Sequence, residues 1–184
     1  NSIGHEAIVH HPIKTTRDGD TVTVTRWIYD HQPAPFWKAA IQRPENVDRW
    51  QMIHYAPPAN INLDLGVAIA GTGAPEGNRS QGVNGRNLDL ITPEAERSCF
   101  QFWAFARNFR IDDRELDQKL FDSVTTIFNE DKGLLEAQQR SMEAAPPEFR
   151  WIDVNADAGS VQARRVLDAA LAREAAALGR QAAE

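Results

Sequence analysis

Across residues 61–69, the large apolar side chains occupy every odd-numbered position. Successive side chains of a β-strand point to opposite faces of a sheet, so this period of two predicts a strand with one buried face. A similar alternation of β-branched and aromatic residues predicts a strand over residues 21–29, after the turn signal Asp18-Gly19-Asp20. Further strands are predicted over residues 49–56, 85–92 and 99–107. The last of these is apolar on both faces, which predicts a central position in the sheet.

The second half of the chain changes to the period of a helix. From residue 112 to about residue 143, apolar residues recur at a spacing of three or four, which predicts one long amphipathic helix. Pro146 and Pro147 end this pattern, and Ser160 is the predicted N-cap of a final helix. A short helix is also predicted near residues 36–41. Strands followed by a helix that can cover the sheet predict an α+β fold.

Composition excludes several classes of protein. The net charge is −6 and no basic patch is present, which argues against a nucleic-acid partner. No apolar run approaches the roughly 20 residues of a membrane-spanning helix, so no membrane partner is expected. Cys99 is the only cysteine, so these residues provide neither a disulfide nor a cysteine-bound zinc or iron–sulfur site. A single thiol suits a cytoplasmic protein.

Asp131 is the most informative polar residue in the long predicted helix. It lies on the apolar stripe, one turn from Ile127 and one turn from Leu135. A carboxylate on a buried helix face is costly unless it is paired, hydrogen-bonded or bound to a metal. An ion pair with a buried arginine, metal ligation and acid–base catalysis therefore all remain open for this residue.

Two histidines offer a competing metal site. His5 and His10 have the spacing H-x4-H, which can bind a metal from a helix or a turn. The neighbouring His11 is followed by a proline, which is more typical of an exposed entry into a strand. Both a ligand role and a surface position are therefore open for His5 and His10.

Five segments occur in the order of a known family: residues 47–51, 71–77, 90–96, 102–108 and 130–140. Together they resemble the catalytic domain of Rieske non-heme iron oxygenases, specifically the vanillate O-demethylase oxygenase group. Residues 153–174 are similar to that group as well. The resemblance implies a helix-grip fold, in which an antiparallel sheet curls around a long C-terminal helix, and it covers residues 1–184 as a single domain.

The resemblance also implies the cofactors. In this family a mononuclear Fe(II) is bound by two histidines and one aspartate, and Asp131 matches the aspartate. The family's histidine pair precedes a segment like Ser2-Ile3-Gly4, so the two histidines are expected upstream of Asn1. The Rieske 2Fe-2S cluster is expected on an N-terminal domain outside these residues. Residues 1–184 alone are therefore expected to be inactive.

The implied reaction is an O2- and NADH-dependent oxidative demethylation or hydroxylation of a methoxylated aromatic acid such as vanillate. Electrons would come from a separate flavin and iron–sulfur reductase, and the resemblance implies a homotrimer. Asn87 and Asp89 alternate on one predicted strand and either point into the substrate pocket or face solvent. The alternative function is a non-catalytic helix-grip domain that binds a hydrophobic small molecule.

Overall fold

The computed structural model describes residue 8 and residues 10–181, and the chain divides into two compact units. The first unit combines Asn1–Phe109 with Val154–Glu184 and contains a β-sheet and two helices. The second unit, Arg110–Asp153, contains one long helix. The assignment of residues 1–184 to a single domain stays a prediction.

The sheet has six antiparallel strands, and each strand pairs with the next one along the chain. The strands are β1 (Lys14–Asp18), β2 (Thr21–His31), β3 (Val47–Ala56), β4 (Asn60–Ile69), β5 (Gly82–Ala95) and β6 (Ser98–Arg107). All five predicted strands are therefore confirmed. The sequence analysis missed β1, because its residues are polar and carry no apolar alternation; this strand forms one edge of the sheet beside β2.

The prediction that residues 99–107 lie centrally in the sheet is wrong. β6 forms the other edge, and Phe100 and Phe102 remain 49% and 56% exposed. In a sheet that follows chain order, the last strand has a neighbour on one side only. An apolar composition shows that a strand can be buried, but the order of the strands decides which of them is.

β4 also departs from its prediction, because both of its faces are covered. The large aliphatic side chains at the odd positions are buried or half-buried, and Asp64, Gly66 and Ala68 are buried on the opposite face. β4 is an interior strand, and its even-numbered residues lie under a tryptophan ring and the loop of residues 70–80. Alternation therefore located the strand correctly without showing how many of its faces are buried.

The described residues also form three α-helices: α1 (Pro35–Ile41), α2 (Arg114–Glu143) and α3 (Ala158–Gln181). Asp113 caps α2 by accepting a hydrogen bond from the Leu116 N–H at 2.9 Å. Ser160 is not the N-cap of α3, which begins at Ala158 directly after a 3-10 turn. That turn starts the helical hydrogen bonding earlier, and the Ser160 hydroxyl donates to the Asp157 carbonyl at 2.9 Å from inside the helix.

α3 packs on β1 and β2. Gly159 permits the close approach, because a Cβ atom at this position would lie 2.5 Å from a methyl group of Val24. Val166 is fully buried, and Arg173 forms an ion pair with Asp20 in the turn between β1 and β2. The antiparallel sheet with a C-terminal helix confirms the α+β fold class. We call the side of the sheet that carries Val24 the helix face and the opposite side, which carries Trp50, the tryptophan face.

A buried carboxylate organises the tryptophan face. Asp64 accepts hydrogen bonds from Trp50 Nε1 at 2.9 Å, Arg79 Nη1 at 2.8 Å and Arg86 Nη2 at 3.1 Å. The Arg79 guanidinium also lies over the Trp50 ring, 4.4 Å from its centroid. Because Arg79 belongs to the loop of residues 70–80, these contacts hold that loop against the sheet.

The same contacts set the ionisation of Asp64. Burial on its own would raise the pKa of the carboxyl group. Hydrogen bonds from Arg79 and Trp50, with the positive charges of Arg79 and Arg86, outweigh burial and hold the pKa below its usual value of 3.8.

We expect Gly66→Ala to destabilise the protein. Its Cβ atom would lie 2.1 Å from the buried Trp50 ring, which has no room to move. Overpacking of this kind typically costs about 1–3 kcal/mol. Gly133→Ala is the matched control, because that glycine lies inside α2 with open space around it, and alanine should stabilise the helix by about 0.5–1 kcal/mol. Urea unfolding measures both, and equal effects of the two substitutions would contradict the packing argument.

Asp64 should make stability depend on pH in the acid range. A carboxyl group with a lowered pKa in the folded state contributes stability that is complete above about pH 4 and is lost as Asp64 becomes protonated below that. Asp64→Asn should lower the free energy of unfolding by about 1.5–3 kcal/mol at pH 7, because it weakens hydrogen bonds to charged groups. The difference from the wild type should shrink below pH 4. Unfolding at pH 7, 5 and 3.5 tests this, with the exposed Asp18→Asn as control; a difference that does not vary with pH would refute it.

Candidate functional site

The strand register places Asn87 and Asp89 on the helix face. Val24, Ile53, Leu63 and Asn87 form one row of directly opposite residues across β2, β3, β4 and β5. Paired residues in an antiparallel sheet share a face, and Asp89 lies two positions further along the same strand. Both polar side chains therefore project from the face on which α3 packs.

Both residues are buried, with exposed fractions of 5% for Asn87 and 6% for Asp89. Asn87 Nδ2 donates a hydrogen bond to Asp89 Oδ2 at 2.6 Å. Gln101 Nε2, on β6, donates to Asp89 Oδ1 at 3.0 Å. The solvent-facing alternative is therefore wrong, whereas a role of the two residues in substrate binding stays a prediction.

We call Asn87 and Asp89 the Asn87–Asp89 cluster. Its side-chain oxygens can accept more hydrogen bonds than they do. Asn87 Oδ1 is buried and has no hydrogen-bond partner among the residues that the structure describes. Each Asp89 oxygen accepts one hydrogen bond, and an ionised carboxylate can accept more. An unsatisfied buried acceptor costs about 1–3 kcal/mol. A ligand that donates a hydrogen bond here would remove this penalty.

Apolar and aromatic side chains surround this cluster on the same face. Phe105 lies directly opposite Asn87, and Trp103 lies opposite Asp89. The Phe105 ring crosses β5 at Gly85, where a Cβ atom would be only 2.3 Å from the ring. A few polar groups within an apolar and aromatic surface are typical of a small-molecule site.

Arginines occupy four helix-face positions of the register, Arg17, Arg26, Arg49 and Arg107, and those on β2 and β3 are neighbours. Arg26 is directly opposite Gln51, and Arg49 is opposite Ile28, so these two arginines are diagonal neighbours on β2 and β3. Burial lowers the pKa of the Arg49 guanidinium, and the positive charge of Arg26 lowers that pKa further. Two guanidinium groups therefore lie close together at this end of the face.

The sequence analysis missed Gln101, Arg26 and Arg49. Arg26 did leave a signal, because it follows Val22 and Val24 at the same period of two and therefore interrupts the apolar face of β2 with a charge. No comparable signal marks Gln101. Its contact with Asp89 depends on the register between two strands.

Asp131 lies in the second unit, on α2, and is exposed. The predicted burial of this helix face is wrong around Asp131, since Leu135 on the same stripe is 59% exposed, whereas Leu120, earlier on the stripe, is buried. α2 is the only helix or strand that the structure describes within residues 110–153, so this unit contains no second element to cover the face. Asp131 has no ion-pair or hydrogen-bond partner within that range.

The chemistry of Asp131 fits one position of an iron site, because carboxylate oxygen is a ligand of the two-histidine, one-carboxylate iron centres. The part of the chain that the structure describes contains no group of three or more His, Cys, Asp or Glu residues able to hold a metal ion. His10 is exposed, and His5 lies outside the described residues. Within the described residues, Asp131 is the ligand that the family resemblance assigns to such a site.

None of the helices in residues 10–181 combines the length and the apolar character needed to cross a membrane.

Comparisons with known proteins agree with this architecture. The model of the family described as "Vanillate O-demethylase oxygenase C-terminal domain" matches residues 1–173. A vanillate O-demethylase oxygenase subunit from Pseudomonas sp. (strain HR199 / DSM 7063) is 39% identical over 179 residues, which are 95% of this chain and 50% of that protein. The iron-sulfur subunit of a toluene-4-sulfonate monooxygenase system from Comamonas testosteroni is 35% identical over 154 residues, 83% of this chain and 44% of that protein.

A solved structure has the same fold. Dicamba monooxygenase bound to 3,6-dichlorosalicylic acid superimposes with a TM-score of 0.81 at 24% identity, over 93% of this chain and 50% of that one. The molecule is thus an α+β domain with the fold that dicamba monooxygenase has in the matched half of its chain. The chain belongs to the vanillate O-demethylase oxygenase C-terminal domain family, as the resemblance predicted, and spans about half the length of the curated relatives it matches.

Proposed function

We propose that this chain is the catalytic domain of a Rieske non-heme iron monooxygenase, which O-demethylates or hydroxylates a methoxylated aromatic acid such as vanillate. The observation that carries the proposal is the family match over residues 1–173, which includes both Asp131 and the Asn87–Asp89 cluster. The named substrates of two relatives, vanillate and toluene-4-sulfonate, are both aromatic anions. A substrate of that chemical class is therefore part of the proposal.

Asn87 and Asp89 are the proposed substrate-binding residues. The free acceptor of Asn87 and the carboxylate of Asp89 would accept hydrogen bonds from a ring hydroxyl and fix the orientation of the ring. Phe105 and the half-buried aliphatic side chains of β4 would pack against the ring and exclude water. Both contributions are binding and positioning rather than proton transfer.

Asp131 is the proposed iron ligand from this chain. A mononuclear Fe(II) bound there would supply the activation of O2. The two histidine ligands are proposed to lie upstream of Asn1, and the Rieske 2Fe-2S cluster on a preceding domain, as in the family. A dicamba monooxygenase structure that contains non-heme iron has this fold, which supports an iron cofactor for the family.

The proposed partners are a flavin and iron–sulfur reductase, which takes electrons from NADH, and two further copies of the chain in a homotrimer. Relatives named as oxygenase components or subunits of monooxygenase systems support the need for a reductase. The single thiol, Cys99, is compatible with the proposed location in a reducing cytoplasm.

The full-length protein, combined with a reductase, should consume NADH in the presence of vanillate and release formaldehyde in a matching amount. Asp89→Asn should raise KM by about 10-fold or more for substrates with a ring hydroxyl, because a neutral amide replaces the charged acceptor of that hydrogen bond. The same substitution should change KM little for an analogue of the substrate that lacks the ring hydroxyl.

Asp18→Asn, at an exposed position, is the matched control for Asp89→Asn and should leave KM unchanged. Residues 1–184 alone, without the preceding domain, should show neither Rieske absorption nor turnover. If vanillate and related aromatic ethers and sulfonates are bound but give no coupled product, the non-catalytic binding domain is the better assignment.

Asp131→Ala in the full-length protein should remove most of the mononuclear iron and abolish product formation. The Rieske spectrum should persist, because that cluster lies on another domain. The change should cost little stability, since Asp131 is exposed. Iron analysis, visible spectroscopy and a melting curve measure these three effects.

Asp122→Ala, an exposed aspartate on the same helix, should keep full iron content. If Asp131 instead paired with a buried arginine, its loss would cost about 3–5 kcal/mol with iron retained, and that result would refute the ligand assignment.

A further inference from the structure

Arg26 is a half-buried cation with little compensation from the protein. Its Nε atom is buried and has no hydrogen-bond partner among the described residues. Its one side-chain hydrogen bond runs from Nη1 to the neutral Gln51 Oε1, at a long 3.4 Å. A guanidinium carries five N–H donors, so most of its capacity is unused. Because buried charges in proteins are normally paired, we expect an anion to bind beside Arg26.

The surroundings of Arg26 strengthen this requirement. Arg49 is its diagonal neighbour on β3, so two positive charges lie side by side in a partly desolvated place. Within the paired strands β2–β6, Asp89 is the only carboxylate at a helix-face position of the register. Asp89 lies three strands away, about 14 Å across the sheet, and its oxygens bind Asn87 and Gln101.

The surface between Arg26 and the Asn87–Asp89 cluster suits an aromatic ring. Gln51, Leu65 and Gly85 lie directly opposite one another in the row that starts at Arg26. Leu65 is half-buried, and Gly85 has no side chain of its own, so the Phe105 ring lies over it. An anion-binding end, an apolar middle and a cluster of hydrogen-bond acceptors thus follow one another on a single face.

We propose that Arg26 binds the anionic substituent of the aromatic substrate, a carboxylate or a sulfonate, and so selects acids over neutral aromatic ethers. The inference rests on the proposed function for the identity of the substrate. The guanidinium would donate two parallel hydrogen bonds to the anion, a geometry that lysine does not reproduce. The positive charge of Arg49, the diagonal neighbour on β3, lies close by.

Ligand binding without turnover tests the proposal in the full-length protein. The probes are vanillate and vanillyl alcohol, which differ in the carboxylate. Arg26→Gln should weaken vanillate binding by about 10- to 100-fold and leave vanillyl alcohol binding within about twofold. Arg26→Lys should retain part of the preference for the acid. Arg43→Gln, the same substitution at an exposed position between α1 and β3, should change neither affinity.

Equal weakening of both probes, or no change for either, would overturn the role of Arg26 and point to a structural part for its charge. If melting curves show that Arg26→Gln is unfolded, Arg26→Lys carries the test alone. Its preference for vanillate over vanillyl alcohol should then fall at least about threefold, because the planar fork becomes a point charge; an unchanged preference overturns the inference.

The outcome is separable from the proposed function. A wild type that binds vanillate through Arg26 but releases no formaldehyde with its reductase supports the anion site and contradicts the demethylase activity. If the wild type releases formaldehyde but Arg26→Gln keeps its preference for the acid, the demethylase activity is supported and the anion site at Arg26 is contradicted.

Discussion

The buried carboxylate of Asp64 is the interaction on which the first unit depends. It binds a side chain of β3, one of β5 and one of the loop that follows β4, so three separate parts of the chain meet at one residue. Two arginines compensate its charge, and both are partly exposed, so the network avoids the full penalty of a buried ion pair. The Trp50 ring fixed in this way needs Gly66 beneath it, which explains a glycine in the middle of an interior strand.

The Trp50 ring and the loop of residues 70–80 cover the tryptophan face. The two faces of the sheet differ in the polar groups that they bury. On the tryptophan face Asp64 is paired with Arg79 and Arg86, while Asn62 Oδ1 is buried without a partner among the described residues. On the helix face Asn87 keeps a buried acceptor without a partner, and Arg26 keeps a buried donor without one. Such groups lower stability, and proteins commonly retain them where a ligand completes the hydrogen bonding. The helix face is distinguished by holding a half-buried cation, Arg26, and an acceptor cluster, Asn87 and Asp89, among apolar and aromatic side chains, and the proposed substrate site is placed there for that reason.

The iron ligand and the substrate site rest on different kinds of argument. Asp131 is proposed because residues 130–140 match the family, and the structure adds that the side chain is exposed with no partner of its own within residues 110–153. Asn87 and Asp89 were weak candidates in the sequence, and their burial and mutual hydrogen bond make them stronger ones. Arg26 became a candidate only when the register placed it on the same face.

Local patterns in the sequence were enough to identify most elements and their order along the chain. The period of two located β2 and β4, and the three- to four-residue spacing located α2, because backbone geometry and side-chain direction depend on residues close in the chain. Which surfaces are covered became visible in the folded protein alone. The tertiary structure placed the apolar β6 at an edge, buried both faces of β4, left Leu134 and Leu135 exposed and brought Gln101 to Asp89. Burial and pairing depend on which distant segments pack together, and a local pattern carries no information about that choice.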